Sequence, residues 1–148
     1  MKVSVNGSKV YCYTNSRDID RDKQTIFFIH GAGMDHTVWT LAARHFARHN
    51  NNVISADLPN HGRSEGSALS SVKTMSKWVI QLLDVLELER AALVGHSLGS
   101  LIALECAASQ PERVRAIALV GATSPMPVSQ AILNAAKADD HAAFDMLT

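Results

Sequence analysis

The sequence predicts an α/β domain built on a mostly parallel sheet, and three observations carry that expectation. Two short β-branched or aromatic runs flank Asn6-Gly7 near the start. Four largely apolar runs follow without clean alternation, and the segments between them repeat apolar residues at helical spacing. An antiparallel hairpin followed by strand–helix units gives helices on the faces of a parallel sheet.

In "KVSVNGSKVYCY" the Asn-Gly pair suits a type I′ turn, which needs positive φ at both central residues. "NGS" formally matches a glycosylation acceptor, but with no secretory leader before it the turn reading is preferred. "NSRDIDRDK" reads as a solvated loop. Strands are expected at "TIFFIH" (25–30), "NVISAD" (52–57), "AALVGH" (91–96) and "RAIALVG" (115–121), whose apolar character fits strands covered on two faces. Between them, residues 37–49 predict a helix with Trp39, Ala42 and Phe46 on one face. Residues 72–88 predict a second, with Met75, Trp78, Val79, Leu82 and Leu86 in register and Ser70 or Ser71 as N-cap. "LGSLIALECAAS" (98–109) is apolar nearly all round, so this helix is expected to be the most buried, and Pro111 ends it. After "GATSPMPVS" the chain reads as one or two alanine-rich helices with no further strand. The expected division is residues 1–125 as core and 126–148 as the start of a helical cap, with the sheet stopping early after six strands.

Composition narrows the function classes. With 47% apolar residues and zero formal net charge over 148 residues, the chain reads as one soluble domain with no basic face for nucleic acid and no polybasic membrane patch. No apolar stretch approaches membrane-spanning length. Cys12 and Cys106 are far apart in sequence and read as reduced thiols of a cytoplasmic protein.

The chemistry concentrates in "ALVGHSLGSLIALE". Gly95-His96-Ser97-Leu98-Gly99 is G-x-S-x-G with a strand before it and a helix after it, the arrangement that presents a serine hydroxyl on a strained turn. The helix N-terminus offers the N–H of Leu98 to a developing oxyanion. "FFIHGAGMDHTVW" supplies the second element: a strand ending in a glycine-containing loop, whose Ala32 N–H is the expected second donor, with Gly33 as the alternative. A P-loop is excluded, because no Lys-Ser/Thr follows at the required spacing.

The order "FFIHGAG", "ISADLPNHGRSEG", "LVGHSLGSLIALECA", "PERVRAIALVGA" resembles the N-terminal part of an α/β-hydrolase-fold protein. It is similar to the serine-hydrolase group holding esterases, lactonases, carbon–carbon bond hydrolases and cofactor-free haloperoxidases. The resemblance spans residues 1–125 and implies that "SPMPVSQAILNAAK" opens a cap over the active site. It also implies that glycine is usual where Asn60 stands, a mild departure because Asn tolerates left-handed backbone. Serine rather than aspartate at position 97 favours ester-type acyl transfer over the alkyl-enzyme chemistry of epoxide hydrolases and haloalkane dehalogenases.

The resemblance places the acid and the histidine of the triad after strands seven and eight, so both are expected to be missing from this chain, which alone should show little activity. "ADDHAA" sets Asp139 and Asp140 beside His141, but neighbouring helical residues point in different directions. His96 should leave the elbow away from Ser97; His30 and His61 read as bonding loop backbone, and Asp57 as part of the "DLP" turn. No metal or cofactor is expected: "DIDRD" lacks the glycine and glutamate of a calcium loop, and His45 with His49 has no third ligand. The expected partner is a small ester-like substrate. Strand 115–121 is expected to be an open edge that could pair with a second copy or a complementing C-terminal segment. The competing class is a catalytically silent ligand-binding or interaction module.

Overall fold

The computed structural model describes residues 1–123, 125–138 and 142–146. Six strands form one sheet in the order β1-β2-β4-β3-β5-β6. They are β1 (Lys2–Val5), β2 (Ser8–Tyr13), β3 (Thr25–Ile29), β4 (Asn52–Ala56), β5 (Ala91–His96) and β6 (Val114–Val120). The helices are α1 (Thr40–Arg48), α2 (Val72–Val85), α3 (Leu98–Ser109), α4 (Gln130–Lys137) and α5 (Ala142–Asp145). β1, β2 and β4 pair antiparallel, whereas β4, β3, β5 and β6 run parallel. The hairpin turns at Asn6 (φ 51°) and Gly7 (φ 82°), both left-handed as the type I′ turn requires.

β3 and β4 are buried throughout and β5 nearly so, covered on both faces, which is why they do not alternate in sequence. β6, expected to be covered in the same way, is instead exposed from Arg115 to Val120 because it lies at the end of the sheet. Phe27 and Ile29 face a core shared with Trp78, Val79, Leu82 and Leu83 of α2 and Ile102, Ala103 and Cys106 of α3. Ile26 and Phe28 face the other way, onto Trp39, Ala43 and Ala47 of the α1 region, with the Phe28 and Trp39 rings 5.2 Å apart. Ser71 caps α2, its hydroxyl accepting from the Thr74 N–H at 3.1 Å.

One helix face differs from the sequence pattern. The buried stripe of α1 is Trp39, Ala43 and Ala47, not Trp39, Ala42 and Phe46; Phe46 is 37% exposed. A 3-10 turn over His36–Trp39 precedes α1, and its tighter winding rotates the phase of the helix that follows. α3 buries Gly99, Ser100, Ile102, Ala103 and Cys106 of its 12 residues, and α2 buries six of its 14, including Trp78 and Leu82; α3 leaves Leu104 46% exposed. β6 closes one side of the sheet with Ile117, Leu119 and Val120 exposed, so this edge is open. Among the described residues, no helix is long and apolar enough to cross a membrane.

Candidate active site

Ser97 sits between β5 and α3 with φ 51° and ψ −117°. That combination lies outside every well open to an L-residue and costs on the order of 1–3 kcal/mol. Packing on both sides holds it there. A Cβ on Gly95 would lie 2.1 Å from the Gly99 carbonyl oxygen, and one on Gly99 would lie 2.2 Å from that of Ile29. The strand and helix therefore approach more closely than any side chain permits. The Ser97 N–H donates to the Val120 carbonyl at 2.9 Å, and the buried Ser100 hydroxyl donates to the Gly95 carbonyl at 2.7 Å, stitching the elbow to β5 and β6.

Beside the elbow, the "HGAG" loop leaves β3. Gly31 runs so close that a Cβ there would stand 3.3 Å from the Ser97 Cβ. Ala32 and Leu98 line one cavity with Ser97, so all three sequence-predicted site residues meet in one place. Leu98 opens α3, so its N–H has no carbonyl one turn back. The cavity measures about 720 Å³, within the range of small-molecule sites. Its apolar wall comes from Leu101 of α3 and from Met126, Ile132 and Leu133 of the segment after β6. Its polar wall carries Asp35, Asn60 and His61.

The flanking loops are fixed by buried polar groups. His30, fully buried, donates from Nδ1 to the Gly31 carbonyl at 2.8 Å and accepts at Nε2 from the Leu58 N–H at 3.0 Å. This joins the loop after β3 to the loop after β4. The arrangement needs neutral imidazole, and burial pushes its pKa below the ordinary value. His61 donates to the Pro59 carbonyl at 3.0 Å, and Asn60 takes the left-handed backbone expected of it, φ 61°. Asp57 is completely buried: Oδ1 accepts from the His36 N–H at 2.7 Å and its Nδ1 at 2.9 Å, and Oδ2 from the Arg63 N–H at 2.9 Å. Sequence reasoning did not pair His36 with Asp57, because 21 residues and two elements separate them. Potential ligand atoms of Asp35, His36 and Asp57 lie within 4.8 Å of one another. Both Asp57 oxygens are already engaged with N–H donors, and Asp35 accepts from Thr37 instead, so the proximity reflects a buried His36–Asp57 pair with Asp35 beside it.

No histidine or carboxylate is hydrogen-bonded to the Ser97 hydroxyl among the described residues. The His96 ring meets Trp39 edge-on, with centroids 6.5 Å apart, and its Nδ1 lies beside Gly31. His45 and His49 stack on each other at 4.3 Å on the exposed side of α1. Asp139, Asp140 and His141 lie outside the described residues, as does Ser124. Both cysteines are free and buried, and burial raises each thiol to about 12.

The family profile described as alpha/beta hydrolase fold matches residues 24–147. The chain is 33% identical over 98 residues to the (E)-2-((N-methylformamido)methylene)succinate hydrolase of Acinetobacter baylyi, covering 66% of this chain and 37% of that protein. It is 36% identical over 110 residues to a Haemophilus influenzae protein assigned as an esterase/lipase, covering 71% and 38%. Among solved structures, the N-acyl homoserine lactone degrading enzyme Est816 superposes with a TM-score of 0.78 at 28% identity, covering 97% of this chain and 54% of that one. Epoxide hydrolase A from Mycobacterium thermoresistibile superposes with a TM-score of 0.75 at 22% identity, covering 93% and 43%, a likeness of fold alone. The chain thus spans well under half the length of these two curated relatives.

Proposed function

The chain belongs to the alpha/beta hydrolase fold family, and from that membership and the geometry of its elbow we propose that it carries the nucleophile and oxyanion hole of a serine hydrolase. The observation that carries the reading is Ser97 itself, a non-glycine residue held at φ 51° and ψ −117° on the wall of a cavity it shares with Ala32 and Leu98. In the proposed reaction the Ser97 oxygen attacks an ester-like carbonyl, and the N–H groups of Leu98 and Ala32 receive the negative charge that develops on the carbonyl oxygen. The alcohol leaves with a proton, and water then releases the acyl group. The proton moves through a histidine oriented by an acid. Serine in place of a carboxylate supports acyl rather than alkyl transfer, and the two buried thiols fit a reducing, cytoplasmic setting.

The test is intact mass after exposure to a fluorophosphonate, with and without added imidazole as a substitute base. One adduct per chain is expected, slow alone, faster with imidazole and absent in Ser97→Ala. A folded chain that gains no adduct at any imidazole concentration, or one that labels equally in Ser97→Ala, rules the nucleophile out. That no base is hydrogen-bonded to the Ser97 hydroxyl among the described residues favours, as the second reading, a ligand-binding module that keeps the fold.

A further inference from the structure

Resting on Ser97 as the nucleophile, we propose that the cavity takes an ester with an aliphatic acyl chain and a polar alcohol part without negative charge, and that Asp35 selects against anions. The argument starts from α4. Ile132, Leu133 and Ala136 lie at i, i+1 and i+4 and face the cavity, whereas Gln130 and Asn134 bond to each other at 2.9 Å along another side of the helix. Leu98 and Leu101 of α3 extend the apolar surface right up to Ser97. A chain lying under α4 leaves water and reaches the serine without meeting a polar side chain.

The rest of the wall has the opposite character. Asn60 offers an amide. His61, which donates from Nδ1 to Pro59, keeps Nε2 as an acceptor. Asp35 uses Oδ1 to accept from the Thr37 N–H at 2.8 Å and the Thr37 hydroxyl at 2.5 Å, which leaves Oδ2 without a bond among the described residues. Partial burial raises its pKa, but the two bonds from Thr37, together with the nearby His36 and His30, outweigh this and hold it below the ordinary carboxylate value. No Lys or Arg lines the cavity among the described residues. Arg63, the neighbouring cation in sequence, lies over the Tyr11 ring at 4.9 Å. An anionic head group would therefore meet a carboxylate with no Lys or Arg beside it among the described residues. At contact distance this costs about fivefold in affinity even where screening is as effective as in water.

The experiment is calorimetric titration of the 148-residue Ser97→Ala protein with butanoyl, hexanoyl and octanoyl esters of choline and of glycolate. Affinity is expected to rise about three- to fourfold per methylene. Choline esters should bind at least about fivefold tighter than glycolate esters of the same chain length. Asp35→Asn, which retains an oxygen for the Thr37 bonds, should remove most of that preference. About 0.5 M salt should weaken it in the Asp35 protein while leaving the chain-length slope in place. Affinity that is flat with chain length, or a head-group preference unchanged by both Asp35→Asn and salt, overturns the proposal. No binding of the octanoyl esters overturns it as well. Because Ser97 is absent from this titration, a failed fluorophosphonate reaction strikes only the nucleophile reading.

Discussion

Replacing Ser97 with glycine should make the protein more stable than replacing it with alanine. Both substitutions remove the hydroxyl, and Ser97 makes no capping bond to α3 that either would lose. They differ in the backbone. Alanine inherits φ 51° and ψ −117°, far from the left-handed well near ψ +45°, and keeps a penalty of about 1–3 kcal/mol. Glycine sheds that penalty but gains freedom in the unfolded chain, which offsets about 0.4–1 kcal/mol. The net advantage of glycine is therefore centred at about 1.3 kcal/mol. The assay is urea unfolding followed by the fluorescence of Trp39 and Trp78, both buried in the native state. With a slope of about 1–3 kcal/mol per molar urea, the glycine midpoint should lie about 0.4–1.3 M above that of alanine. Serine and alanine should unfold nearly together. A glycine midpoint at or below alanine's, with equal slopes, would refute the claim that the elbow stores strain.

Gly99→Ala should destabilise by about 3 kcal/mol or more, because its Cβ would meet the Ile29 and His30 carbonyl oxygens at 2.2 and 2.8 Å; thermal melting reads this, and a midpoint within a few degrees of the original contradicts the contact. Cys12 and Cys106, with thiols near 12, should resist a disulfide reagent at pH 8 and react at once in denaturant; stoichiometric labelling of the folded protein would contradict their burial. His30 has a folded pKa below its unfolded value of 6.5, so the stability it contributes is present above pH 6.5 and declines, by at most about 1.4 kcal/mol per unit, as pH falls toward the folded value. His30→Gln should flatten that part of the pH–stability curve, and an unchanged slope argues against a neutral His30. The open β6 edge predicts self-association in sedimentation velocity that Ile117→Lys reduces; a monodisperse monomer across concentrations counts against it.

Most of the fold was legible because it rests on patterns that span a few residues. Asn6-Gly7 fixes its turn through backbone sterics alone, and the apolar runs mark strands because two helical layers must cover them. The errors came where a pattern was tipped by its neighbour. A 3-10 turn before α1 moved the buried stripe onto Ala43 and Ala47, which are too small to register as hydrophobic anchors but small enough to let the helix settle on the sheet. α3, apolar nearly all round, reads as buried, yet Leu104 is 46% exposed.

The site divides along the same line. The turn at Gly95, Ser97 and Gly99 is legible from five residues because a Cβ on Gly95 or Gly99 would come within 2.1 or 2.2 Å of a backbone oxygen, which leaves glycine alone at both positions. What Ser97 would act on follows instead from side-chain volume and charge brought together from distant segments: Asp35 after β3, Asn60 and His61 after β4, Ile132 and Leu133 on α4. No short motif encodes that meeting, since each residue by itself reads as an ordinary loop or helix position. A rigid elbow shared across a family and a cavity wall assembled separately in each chain is the arrangement that lets one nucleophile serve different substrates. It also means that substitutions at Asp35 or Leu133 should alter which ligand binds while leaving the Ser97 backbone geometry intact, whereas any side chain at Gly99 should disturb both.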